Sequence, residues 1–378
     1  MKQKEKIKIS LKKLDFILII TMIILIIIGL YCTRQAFMQN EEQNAIFIKQ
    51  LAGIMIGIVM IAVIIFIDYH IISNLSIILY IGINAILALT LVIGSNLNNV
   101  KRWIIIFGIP FQPSELAKIV LILFLAFLCN RLRNKMDKLY ILFILVAVVA
   151  IPMGLIMLEP HLSSALAILF VFCIMVYCSG IRYKVIGAAL ALVVPLVVGI
   201  IVAVVIFDQK LPFIENYQVK RVLSFVSDDE GDELTGDYQQ NQSVEAIASG
   251  GLQGKLIFSE GDNKYYSYIY AKESDFVFAI IGEEFGFIGS FLIIMLYALL
   301  VIRCLIISHH APDYIGKLIC MGVSAYFMFQ IFSNIGVATM LIPNTGLPLP
   351  FVSNGLTSLI SSMIAVGLVL NIGMRRKE

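Results

Sequence analysis

The sequence predicts an all-α polytopic membrane protein with about ten transmembrane helices, and three observations carry that reading. Hydrophobic residues make up 60% of the 378 and charged residues 14%, far from the roughly 45–50% apolar and 25% charged balance of a soluble domain. Apolar runs of about 18 residues or more recur along the whole chain, each long enough to cross a hydrocarbon core of about 30 Å as a helix. Basic residues gather in short clusters beside those runs, and with a formal net charge of +3 they report orientation and give no argument for nucleic acid.

The predicted spans cover residues 15–33, 45–67, 71–94, 114–130, 139–157, 161–179, 185–207, 277–302, 317–341 and 354–373. The first follows a lysine-rich stretch and imitates a signal peptide. Bulky Tyr31 beside Cys32 spoils both a small-residue cleavage site and a lipoprotein-type cysteine, so the run is read as a membrane helix. An even number of crossings puts both termini on one side. Lys2, Lys4, Lys6, Lys8, Lys12 and Lys13 in the basic tail 1–14, the basic residues between Asn130 and Lys138, and Arg375, Arg376 and Lys377 in the tail 374–378 all fall there. Arg182 with Lys184 and Arg303 with Lys317 are placed in loops on the same side. That side is therefore the cytoplasm.

The opposite face receives one large loop, residues 208–276, which holds about half of the 25 carboxylates. Its middle, Ser227 to Gln242, is acidic and polar enough to be mobile, while Tyr, Phe and Gly-Gly patterns on its flanks predict a partly folded extracytoplasmic cap. All six cysteines lie in or beside apolar runs, so no disulfide framework is implied. Neither an internal repeat nor paired broken helices point to a secondary transporter.

Four segments break the apolar pattern with charge, all at the extracytoplasmic face, where ionisable groups near the membrane mark a functional site. The first runs from Lys101-Arg102-Trp103 to Gln112-Pro113-Ser114-Glu115 and Lys118. Proline and a carboxylate suit a first helical turn, and Glu115 and Lys118 are spaced to pair on one face. The second is Glu159-Pro160-His161, where a histidine would titrate near neutral pH if exposed. The third runs from Lys272-Glu273-Ser274-Asp275 into Glu283-Glu284, and puts Asp275 near a helix entrance. From Phe276 to Arg303 a helix would run roughly 42 Å, more than the membrane core requires, so its first two turns project. The fourth runs from Asn334 through the proline- and glycine-rich turn at Pro343–Phe351 to Ser353-Asn354-Gly355. By spacing alone, each of these is equally an ordinary helix start or turn.

In order, the blocks RWIIIFGIPFQPSELAK, EPHLSSALAI, NYQVKRVLSF, NQSVEAIASGGLQGK, SDFVFAIIGEEFGFIG and NTGLPLPFVSNG resemble the signature segments of the SEDS family (shape, elongation, division and sporulation). The resemblance covers nearly the whole chain, and its Thr-Gly-Leu-Pro-Leu-Pro turn is closer to the RodA branch than to FtsW. It implies a peptidoglycan glycosyltransferase of the bacterial cytoplasmic membrane that polymerises lipid II for elongation, division or sporulation, beside a class B penicillin-binding protein. It also implies that Asp275 is essential. The matching positions Arg102, Trp103, Gln112, Glu115, Lys118, Arg221, Gln242 and Lys255, with Glu283, would line the substrate site or support the loop. The chain departs from the family pattern where His161 stands in an aspartate position, at Glu273-Ser274 before Asp275, and at Asn354-Gly355-Leu356.

On this reading Asp275 takes the proton of the acceptor sugar hydroxyl as it attacks the anomeric carbon. The leaving group is undecaprenyl pyrophosphate, a weak base, so positive charge from Arg102, Lys118, Arg221 or a divalent cation (Mg2+ or Mn2+) replaces a general acid. Displacement from the opposite face inverts the centre and gives a β-1,4 strand. A lipid II flippase or other lipid-linked carrier, and a degenerate scaffold for the penicillin-binding protein, are the alternative readings.

Overall fold

The computed structural model describes residues 13–37, 43–97, 100–106, 109–136, 138–159, 161–181, 187, 236–256 and 264–375. Their helices are α1 (Phe16–Ala36), α2 (Gln43–Phe66), α3 (Tyr69–Ile93), α4 (Pro113–Arg131), α5 (Leu139–Leu158), α6 (Leu162–Cys178), α7 (Gly236–Ser249), α8 (Val277–His309), α9 (Tyr314–Ala338) and α10 (Leu356–Gly373). Among the described residues eight helices, α1 to α5 and α8 to α10, are long and apolar enough to cross a membrane; α6 is apolar but shorter. The predicted span 185–207 lies outside the described residues, apart from Gly187.

α10 is the axis of the bundle, buried over most of its length and packed against α2 and α4. α2 and α3 lie at the periphery and expose Met55, Val59, Ile78 and Ile81, as helices facing lipid do. Small residues allow the closest approach: a side chain at Gly57 would run into Met363, and Gly367 faces the backbone of Ile61. Polar side chains repair backbone defects inside the bundle. Pro152 in α5 frees the carbonyl of Val148, and the Tyr80 hydroxyl of α3 donates to it at 2.7 Å. Asn371 of α10 donates to carbonyls at the end of α2 and just past it, Ile65 at 3.2 Å and Ile67 at 2.6 Å.

Four features differ from the sequence reading. A small antiparallel sheet is formed by β1 (Ser95–Leu97), β2 (Val100–Ile106) and β3 (Ile109–Phe111), with Trp103 opposite Ser95 and Phe111 opposite Ile104. α7 begins at Gly236, inside the stretch expected to be mobile. Lys317 lies in the first turn of α9, not in a loop. α8 continues past residue 302 to His309 and so includes Arg303, whose guanidinium is paired with Asp15, meeting its carboxylate through Nε at 3.1 Å and 3.2 Å.

One end of the bundle is tied by aspartates. Asp15, Asp68 and Asp313 accept from the first turns of α1, α3 and α9. His70 bridges Asp68 at 2.8 Å and Asp313 at 2.5 Å, and Arg375 reaches Asp68 at 3.3 Å. The starts of α4, α6, α8 and α10 gather elsewhere, and none of them carries a side-chain cap.

Candidate active site

Pro113 opens α4 as the sequence predicts, with Gln112 before it in extended conformation. Glu115 and Lys118 pair at 2.6 Å, each 1% exposed. Gln330 of α9 donates to the other oxygen of Glu115 at 3.3 Å, and the Lys118 ammonium stands 5.5 Å from the ring centre of Tyr326.

His161 occupies the N-cap position of α6 and joins it to α4. Its Nδ1 lies 3.4 Å from both Gln112 Nε2 and Ser114 Oγ, and its Nε2 lies 3.4 Å from Ser164 Oγ. Arg102 from β2 donates Nε to the main-chain carbonyl of Glu159 at 3.0 Å. Both carboxyl oxygens of Glu159 are buried without a hydrogen-bond partner. Burial pushes Glu159 up to about 8, against the opposing pull of Arg102. Burial, reinforced by the charges of Arg102 and Lys118, holds His161 well below the usual histidine range. At neutral pH both groups are therefore predominantly uncharged.

Asp275 is partly exposed and precedes the N-cap position of α8, which Phe276 fills. Ala271, in the left-handed region at φ 57°, turns its carbonyl to accept from the N–H groups of Ser274 and Asp275, both at 3.1 Å. Asn334 of α9 donates to the carbonyls of Asp275 at 3.0 Å and Leu347 at 2.8 Å. Ser353 donates to Ser274 O at 2.6 Å and the Asn354 N–H to Glu273 O at 2.8 Å. A side chain added at Gly346, where φ is 67°, would stand 3.4 Å from Asp275 Oδ2.

The remaining ties close the ring. Ser163 Oγ donates to Thr345 O, and the Gln112 N–H to Thr357 Oγ1 at 3.2 Å. All four charged segments thus converge at one end of the bundle. Trp103 on β2 and Gln242 on α7 are partly exposed, and Arg221 lies outside the described residues. Lys255 and Glu283 stand in a neighbouring cluster, paired at 2.6 Å, where Glu283 also accepts from the N–H groups of Tyr265 and Tyr266 at 2.9 Å each. Gln330 had gone unnoticed in the sequence; a glutamine in the middle of an apolar helix was the available signal. Among the described residues no group of three or more His, Cys, Asp or Glu is placed to hold a metal ion.

Fold and site together define a multi-pass membrane protein that sets a partly exposed aspartate beside buried polar side chains at the uncapped starts of its helices. The chain belongs to the FtsW/RodA/SpoVE family: the family model described as "Cell cycle protein" matches residues 11–378. It is 31% identical to the probable peptidoglycan glycosyltransferase FtsW of Trichlorobacter lovleyi over 96% of this chain and 93% of the relative. It is 30% identical to stage V sporulation protein E of Bacillus subtilis over 95% of this chain and 96% of the relative. These near-equal values do not separate the branches. Among solved structures it resembles a chain from work on the structural coordination of polymerization and crosslinking by a peptidoglycan synthase complex, with TM-score 0.78, 27% identity and coverage of 97% and 99% of the two chains.

Proposed function

We propose that the protein is a peptidoglycan glycosyltransferase that polymerises lipid II into β-1,4 glycan strands, with Asp275 as general base. The observation that carries the assignment is the treatment of Asp275: its main chain is fixed by Asn334, while the residue is partly exposed and its Oδ2 faces Gly346. A carboxylate held in this way can take the proton of the acceptor hydroxyl as that oxygen bonds to the anomeric carbon and the pyrophosphate departs with the bonding electrons. The named functions of the relatives support the same reaction class.

Stabilisation of the departing pyrophosphate falls to Arg102, together with the starts of α4, α6, α8 and α10, which carry no side-chain cap and whose dipoles favour an anion. Mg2+ or Mn2+ would supply further charge at the pyrophosphate, but among the described residues no group of three or more His, Cys, Asp or Glu is placed to hold it. The site end faces outward and both termini face the cytoplasm, by the distribution of lysine and arginine. A class B penicillin-binding protein is the proposed partner.

The test is gel-resolved polymerisation of lipid II by the protein with its co-purified partner, wild type against Asp275→Ala at equal membrane expression. Strands from wild type alone support the assignment. Strands from both move the base elsewhere, to Glu115 or Glu283. No strands from either, with the partner still bound, favour a carrier or scaffold.

A further inference from the structure

α8 is broken at Gly286, where φ is 65° and ψ is −166°. The break removes two helical hydrogen bonds, those that Phe287 and Ile288 would donate to the carbonyls of Glu283 and Glu284. The chain leaving α7 replaces them with four. Lys255 N donates to Glu283 O and Leu256 N to Glu284 O, each at 3.0 Å, while Phe287 N donates to Gly251 O at 2.9 Å and Ile288 N to Leu252 O at 3.2 Å. Glycine permits this approach: a Cβ at Gly250 would lie 2.0 Å from Gly282 O, and one at Gly254 would lie 2.1 Å from Glu284 O.

The side chains at the break repeat the arrangement. Glu284 is fully buried, and its Oε1 accepts from Lys264 Nζ at 2.6 Å and the Tyr266 hydroxyl at 2.9 Å. Its Oε2 accepts from the Tyr31 hydroxyl of α1 at 3.0 Å, and Tyr31 in turn accepts from Gln35 at 3.0 Å. Glu284 therefore joins α1, the loop and α8 at one carboxylate. The stub of α8 before the break, residues 277–285, is buried along almost its whole length and starts two residues after Asp275.

We infer that Glu284, held by Lys264, Tyr266 and Tyr31, is a positioning residue for Asp275, an inference that rests on the glycosyltransferase reading above. At about 1.5 Å per residue the stub is roughly 13 Å long. A tilt of about 5° about its lower end would carry Asp275 roughly 1 Å, a displacement that can lower a rate about a hundredfold. The break frees the stub from the rigidity of the long lower helix, and the loop and Glu284 restore its orientation from outside.

The experiment compares Glu284→Gln, Lys264→Met and the exchanged pair Glu284→Lys/Lys264→Glu with wild type and Asp275→Asn, all in the full chain with its co-purified partner. Two readouts are taken: the kinetics of lipid II polymerisation, and hydrogen exchange of residues 271–285. The single variants should lower kcat about ten- to a hundredfold with KM within about twofold, and should speed exchange of the stub; the exchanged pair should recover part of both. A raised KM with unchanged kcat would overturn the inference by making Glu284 a substrate contact. Unchanged exchange in Glu284→Gln would overturn it whatever the activity. Full activity in Asp275→Asn would instead remove the general-base reading, and the exchange data would still decide whether Glu284 orients the stub.

Discussion

The side-chain amide of Asn334 donates to the main-chain carbonyl of Asp275 at 3.0 Å, and the same nitrogen reaches Leu347 O at 2.8 Å. One residue of α9 thus fixes both the carboxylate-bearing segment and the turn that faces it. Asn334→Ala should lower kcat about ten- to a hundredfold with little change in KM, because substrate contacts are untouched while Asp275 loses its support. The buried carbonyls left behind should cost about 1–3 kcal/mol of stability, measurable by thermal melting in detergent.

Asp275→Asn preserves shape and removes the base. Polymerisation should fall about 10²- to 10⁴-fold, while the melting temperature stays close to that of wild type. Initial rates at fixed partner concentration, with melting curves of both proteins, test this.

Glu159 and His161 give stability a pH dependence of two opposite signs. The folded pKa of Glu159 is raised to about 8, so the folded state holds a proton that the unfolded state releases above the ordinary carboxyl range. Stability from this residue should fall as pH rises from about 4.5 toward 8. His161 is held low, so the unfolded state binds a proton below about 6.5 that the folded state refuses, and stability should fall on acidification. Melting curves of Glu159→Gln should lose the alkaline decline, and those of His161→Gln the acid one. An unchanged profile in both would contradict the buried, uncharged state.

Glu115 and Lys118 separate stability from function. Breaking a fully buried pair by Lys118→Ala should cost about 3–5 kcal/mol, whereas replacing both partners with Leu and Met should be nearly neutral for folding. If Lys118 also provides charge for the pyrophosphate, the double variant should fold and still lose activity. A folded, fully active double variant would confine the pair to a structural role.

The spans were legible because hydropathy and length decide them: predicted 114–130 is α4 at Pro113–Arg131, and predicted 139–157 is α5 at Leu139–Leu158. The pairing of Glu115 with Lys118 followed from helical spacing. The break at Gly286 was hidden, because a glycine at positive φ reads like any small residue in an apolar run, such as Gly289. The support of Asp275 was hidden for another reason: Asn334 and Ser353 lie far along the chain, and their role is created by the meeting of α9 with the turn after it. Glu159 and His161 were visible as polar residues, yet their uncharged state depends on burial that no local pattern specifies.

Asn371 gives the order of synthesis a structural meaning. The carbonyls that close α2, and that of Ile67 just past it, find their donor in Asn371 of α10, so a polypeptide whose α10 has not yet been made holds its second helix unfinished at that end. Pro152 has no such delay, since Tyr80 of α3 is made before α5. Biogenesis should therefore leave the seam between α2 and α10 open until α10 has been made. Chains stopped just before Asn371 should show protease cleavage around Ile67 that the complete chain resists, and equal resistance would mean the seam is closed by packing alone.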